Sequence, residues 1–229
     1  MSKIHFIGGE KGGVGKSLVS RLLAQYMIDR QIPFLGFDTD RSHGALMRFY
    51  AGYASPALVD RYEALDTIVE AAIAEPGRRV LVDLAAQTHD FLVNWMDESG
   101  VLDLAEESSV AVRYWHVMDA GKDSVDLLKR LLDRFGPRVQ YTIALNHLRG
   151  DDFAILKQSG ELARAEELGA TVVHIRKLHD GTINKIDAAS SSFWAAKTPA
   201  DHNILGMMER QRLKTWLRDA YLELDKAGV

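Results

Sequence analysis

Apolar residues in this chain follow two spacings in turn. Short, nearly unbroken runs at 4–7, 34–37, 80–83, 110–117, 139–145 and 171–175 have the length and β-branched content of buried strands. Between them, apolar positions recur at helical intervals. Leu18, Val19, Leu22, Leu23, Tyr26 and Met27 form one such face, and Leu65, Ile68, Val69 and Ala72 form a second, within a helix over 62–74. Val125, Leu128, Leu131, Leu132 and Phe135 mark a third, stopped by Gly136-Pro137. Further helices are predicted over 89–104, interrupted at Gly100, over 151–169, and from about 204 to 226, where Leu213, Trp216, Leu217, Ala220, Tyr221 and Leu224 share a seam. Residues 44–60 read as a short helix and a loop. Residues 178–203 read as irregular, with room for one more short helix. Strands alternating with helices along the whole chain predict an α/β fold. It should be a doubly wound, mostly parallel sheet flanked by helices, forming a single domain over 1–229 without repeats or linkers.

The first strand and first helix enclose Gly8-Gly9-Glu10-Lys11-Gly12-Gly13-Val14-Gly15-Lys16-Ser17. A glycine-rich turn opening a helix is suited to polyphosphate, because its N–H groups converge on the anion and the helix dipole adds positive charge. Gly12, Gly13 and Gly15 let the backbone approach closely, with Val14 among them, while Lys16 would reach the β- and γ-phosphates and Ser17 would ligate Mg²⁺. The competing reading is a flexible turn with two solvated lysines. The strand before it and the helix after it weigh against that.

The general phosphate-loop pattern G-x-x-x-x-G-K-[ST] would place glycine at position 10, where Glu10 stands. The string Lys11-Gly12-Gly13-Val14-Gly15-Lys16-Ser17 instead resembles the deviant Walker A motif of the ParA/MinD family of P-loop ATPases. The resemblance implies a P-loop NTPase-like fold, ATP and Mg²⁺ as ligands, and a homodimer when ATP is bound. It implies that Lys11 reaches the partner's nucleotide, and that a protein partner stimulates a slow hydrolysis. Looking also somewhat like ATPases encoded with plasmid transfer or stability functions, the chain is expected to move or partition a cargo.

Other candidate residues close later strands. Asp38-Thr39-Asp40 follows the second, at the edge where ligands of parallel sheets bind. The two carboxylates could hold Mg²⁺ through water and orient an attacking water, or they could cap the next helix. In the resembled family the first of the pair, here Asp38, supports the metal and the second, here Asp40, positions the water. Asp40 thus joins Lys11 and Lys16 as catalytic. Here Arg41-Ser42-His43 replaces the Pro-Gln common in partition proteins, which puts the hydrolysis rate in question. Val80-Leu81-Val82-Asp83 resembles a Walker B strand whose Asp83 joins Ser17 and Asp38 at the metal. Leu84-Ala85-Ala86-Gln87 occupies the place of switch II, where Gln87 could orient water or be a surface glutamine. Asn146 ends the fifth predicted strand, and relatives use an asparagine there for adenine; no N-K-x-D string selects guanine. His116 reads as a hydrogen-bonded histidine near a strand end, and no histidine pair shows metal spacing.

Composition narrows the classes. At 229 residues the chain can bury roughly 70–75% of its unfolded surface. The absence of cysteine excludes an iron–sulfur centre and fits a reducing cytoplasm. No apolar run approaches a membrane span, and Met1-Ser2-Lys3 leads straight into the first strand without a signal peptide. With a net charge of −4, nucleic-acid binding would need a local patch. Arg210, Lys214 and Arg218 offer one at i, i+4, i+8, as either a solvated helix flank or a non-specific DNA contact. Membrane targeting is disfavoured by Glu209, Asp219, Glu223 and Asp225 on the same helix. Two other functions stay open: a nucleotide-binding module that does not hydrolyse, and a small-molecule ligase resembling dethiobiotin synthetase.

Overall fold

The computed structural model describes residues 1–9, 12–40, 44–200 and 204–229. Its strands are β1 (Ser2–Gly8), β2 (Phe34–Asp38), β3 (Ala54–Pro56), β4 (Arg79–Asp83), β5 (Val110–Met118), β6 (Gln140–Asn146) and β7 (Thr171–Ile175). They form one sheet in the order β3-β2-β4-β1-β5-β6-β7, every neighbouring pair parallel. The helices are α1 (Lys16–Asp29), α2 (Ala45–Phe49), α3 (Tyr62–Ala74), α4 (His89–Glu98), α5 (Val101–Glu107), α6 (Lys122–Phe135), α7 (Ala154–Ser159), α8 (Glu161–Glu167), α9 (Asp180–Ala188), α10 (Phe193–Lys197) and α11 (Met207–Ala227).

The alternation of side chains along each strand divides the core in two. Ile4, Phe6, Val80 and Val82 face α3 to α6, whereas Ile7, Leu81 and Trp115 face α1 and α11. A parallel sheet covered on both faces is the doubly wound architecture that the pattern predicts. Most of α1 is buried, Arg21 and Gln25 included, so the helix that opens at the glycine loop also lies deep in the molecule. Arg21 is accommodated by its bond to Asp187 (2.8 Å) and by its guanidinium lying 3.6 Å from the centre of the Phe49 ring.

Four segments depart from the sequence expectation. The loop in 44–60 contains β3, a three-residue edge strand whose Ala-Ser-Pro composition carries no strand signal; proline is tolerated there because an edge strand lacks one neighbour. The helix expected over 151–169 is two, α7 and α8, separated by Gly160 at φ +82°. The irregular 178–203 segment holds α9 and α10, the latter capped by the Ser192 hydroxyl accepting from the Ala195 N–H. The last helix starts at Met207, after the Gly206 N–H has been satisfied by the Glu209 carboxylate at 2.8 Å.

Of the basic stripe on α11, Lys214 is exposed, Arg210 donates to the Leu205 carbonyl and Arg218 to the adjacent Asp219 carboxylate. Two of the three charges are therefore engaged locally, as a solvated flank would be. No helix among the described residues is long and apolar enough to cross a membrane.

Candidate nucleotide site

Register brings the chemistry to one edge of the sheet. Ile7 pairs with Asp83 across β1 and β4, and Asp38 pairs with Asp83 across β2 and β4, so both acids end beside the glycine loop. Gly8 leaves β1 beneath Tyr114, where a Cβ would stand 1.9 Å from the phenol oxygen. At the mouth of α1, Gly15 is the N-cap at φ +97°. A cavity of about 370 Å³ opens above, lined by Gly12, Gly13, Gly15, Lys16, Ser17, Asp40, Asp83 and residues 84–86.

Within this cavity Lys16 is buried, and its ammonium donates to the Gly9 carbonyl at 2.7 Å. The Lys16 side chain thus folds back to the end of β1, with the charge held where a phosphate chain would lie. Opposite it, the buried Oδ1 of Asp83 has no hydrogen-bond partner. Burial first, then the neighbouring Asp38 charge, push the Asp83 carboxyl up to about 7, and Ser20, Ser17 and Lys16 offset only part of this. An orphaned carboxylate oxygen beside a serine hydroxyl and a phosphate cradle fits Mg²⁺. That ion takes one or two protein oxygens and completes its shell with phosphate and water. Among the described residues there is no group of three or more histidine, aspartate or glutamate side chains that could hold a metal ion.

Asp38 is spent differently. Its Oδ2 accepts from the Leu46 and Met47 N–H groups at 2.8 and 3.2 Å, and its Oδ1 from Asp40 at 3.1 Å. These bonds cap α2, as one of the two readings expected, and tie its start to the sheet edge that carries Asp83. Asp40 stands half-buried on the cavity wall. Lys11 and Arg41-Ser42-His43 lie outside the described residues. Asn146 is buried beneath the loop; its amide donates to the Val14 carbonyl at 2.7 Å and its oxygen accepts from Leu148 at 3.2 Å. The amide expected to meet adenine is here occupied in bracing the phosphate loop. Gln87 is exposed and in the left-handed region at φ +62°, as a turn residue on the surface. His116 is buried, bonded to the Ser124 carbonyl at 2.9 Å, and lowered to about 4 chiefly by burial.

Thr39, between the two aspartates, matches no motif in the sequence. Its hydroxyl donates to the Asp83 carbonyl at 3.1 Å and accepts from the Ala85 N–H at 2.7 Å, so it fastens the end of β2 to the segment after β4. Thr39→Val keeps the shape and strands the Ala85 donor. The expected result is a loss of about 1–2 kcal/mol, read as a fall of roughly 3–6 °C in melting temperature. An unchanged melting curve would remove Thr39 from the framework of the site.

A larger groove, about 940 Å³, lies along the β7 edge beside His147 and His174. The two rings share a hydrogen bond of 3.0 Å although 27 residues separate them in sequence. This groove has no glycine loop and no buried acid, and its one lining ammonium, Lys177, is paired with Asp180 at 2.9 Å, so the smaller cavity is the candidate site.

No protein-family model matches the chain. It is 27% identical to Protein MobD of Acidithiobacillus ferrooxidans over 221 residues, covering 95% of this chain and 94% of MobD. It is 26% identical to Protein TraL of Escherichia coli over 246 residues, covering the whole of both. Among solved structures it is similar to the MinD cell division protein of Aquifex aeolicus, with TM-score 0.51 and 16% identity, over 94% of this chain and 97% of that one. It is similar also to a nucleotide-binding protein of Archaeoglobus fulgidus in complex with ADP, with TM-score 0.50 and 15% identity, over 82% and 86% of the two chains. These likenesses show the fold, the P-loop NTPase-like arrangement that the glycine loop implied.

Proposed function

We propose that this chain is an ATP-dependent dimerising switch of the ParA/MinD type, hydrolysing ATP to ADP to partition or position a cargo such as a plasmid. The observation that carries this reading is the presence, in one cavity under a glycine loop, of both the Lys16 ammonium and the orphaned Asp83 oxygen. The ADP bound by the structurally similar archaeal protein supports the same ligand class.

When ATP enters, the Lys16 ammonium exchanges the Gly9 carbonyl for phosphate oxygens. Ser17 and Asp83, with Asp38 supporting through water, would hold Mg²⁺, which would supply the positive charge that offsets the phosphate chain. Asp40, on the wall of the same cavity, orients the water that attacks the γ-phosphate. Lys11 reaches the nucleotide of the second copy, so that closing two phosphate chains face to face is offset by two ammonium groups. Asn146 serves the nucleotide through Val14, and a direct adenine contact would require its amide to turn. The stripe Arg210, Lys214 and Arg218 supports a solvated flank better than DNA binding, since two of its charges are bonded on their own helix or beside it.

Light scattering of the full chain tests the switch. A dimer is expected with Mg-ATP and a monomer with Mg-ADP. Asp40→Ala should accumulate the dimer, and Lys11→Ala should bind ATP yet stay monomeric. One mass under both nucleotides sinks the switch. A second reading, a nucleotide module that does not hydrolyse, is favoured by the exposed Gln87 and by the Thr39 bond that pins Ala85. Phosphate release in a single turnover separates the two.

A further inference from the structure

We propose that Arg149 is a nucleotide-binding residue held in reserve by Asp119, the two forming an ion-pair latch over the phosphate loop that a nucleoside polyphosphate opens. The inference rests on the nucleotide reading above and adds a cation to it. The turn that carries Arg149 is fixed to the loop from below, because Asn146 holds the Val14 carbonyl and accepts from Leu148. Leu148 itself lines the phosphate cavity. Arg149, the next residue, lies over the loop: its Nη2 is 2.7 Å from where a Cβ on Gly13 would stand. The guanidinium is therefore parked against a position whose bare backbone would meet the phosphate chain.

Its present partner is the Asp119 carboxylate at the end of β5, 3.5 Å away, and the Arg149 side chain is 51% exposed. That distance is long for a guanidinium–carboxylate pair, and a half-exposed pair is weakly held. A polyphosphate arriving beside Gly13 brings more charge than one carboxylate and offers the fork two oxygens. Oδ1 of Asp119 accepts from Gly121 at 3.1 Å and from the Ser124 hydroxyl at 2.8 Å, shaping the start of α6, and Oδ2 faces Arg149. Asp119→Asn can keep the Oδ1 bonds and replace the anion facing Arg149 by an amide N–H₂.

A double-mutant cycle reads the latch, using calorimetry of Mg-ADP and Mg-ATP binding to the full chain. Arg149→Ala should weaken binding about tenfold, and Asp119→Asn should tighten it about threefold by freeing the guanidinium. In the Arg149→Ala background, Asp119→Asn should leave the affinity unchanged, which a merely structural role at position 119 would not produce. Melting of the nucleotide-free proteins checks folding, and Arg149→Gln replaces the alanine variant if that one is unstable. Equal effects of Asp119→Asn in both backgrounds, or an Arg149 variant that binds like the wild type, overturn the latch while nucleotide binding stands. If the wild-type chain ignores both nucleotides, the nucleotide reading falls and takes the latch with it.

Discussion

Gly15→Ala should abolish nucleotide binding while leaving the sheet folded. Two independent constraints meet at this position. As the N-cap of α1, Gly15 takes φ +97°, a conformation that costs a residue with a Cβ on the order of 1–3 kcal/mol. The added carbon would also stand 2.1 Å from the Asn146 amide nitrogen. That amide cannot simply swing aside, because it is buried and bonded to Val14 on one side and Leu148 on the other. Relief must come from moving the loop, which misdirects the N–H groups meant for phosphate. The expected loss in ATP affinity is at least about a hundredfold, which corresponds to roughly 3 kcal/mol. A useful control is Gly77→Ala, also at positive φ (+86°) but with no described heavy atom within 4 Å of the added carbon. It should lower stability and leave ATP binding intact. Binding by the Gly15→Ala protein within a few-fold of wild type would mean that this loop is not the phosphate cradle.

How much of this site could be read from the residues depends on how local each signal is. The glycine loop declares itself because its strand, turn and helix are consecutive, and β1 and α1 follow directly. Asp83 was legible because an apolar run closing on an acid is a compact pattern, and the register with β1 then puts it where the pattern implied. Asp38 shows the limit: the sequence reads it as metal support or helix cap, and the bonds from the Leu46 and Met47 N–H groups add the cap, which no local spacing announces. Thr39, Arg149 and the His147–His174 pair were invisible for a common reason. Their partners come from other strands, so no spacing in the chain announces them. The edge strand β3 escaped because three residues ending in proline carry no periodicity to detect.

Asp83→Asn should make the nucleotide-free protein more stable and deprive it of its Mg²⁺ response. The Asp83 carboxyl is buried beside Asp38 with one oxygen unpartnered, and burial pushes it up to about 7 where an ordinary aspartate sits at 3.8. A raised carboxyl favours the folded state when protonated, so its contribution is lost as pH rises through about 7. Above that pH the buried charge costs the fold about 4 kcal/mol, of which a neutral amide should recover roughly 1–3 kcal/mol. The variant's advantage in melting temperature should therefore widen between pH 6 and pH 8, by the equivalent of about 1 kcal/mol. With Mg-ATP the sign reverses: the wild type gains stability from metal and nucleotide together, and the variant gains no more from Mg-ATP than from ATP with chelator. A site that destabilises the protein when empty and stabilises it when filled is what a nucleotide switch requires, since the free-energy difference between its states must come from the ligand. If Asp83→Asn melts below wild type at pH 8 and still responds to Mg²⁺, the buried acid is part of the framework and the metal lies elsewhere.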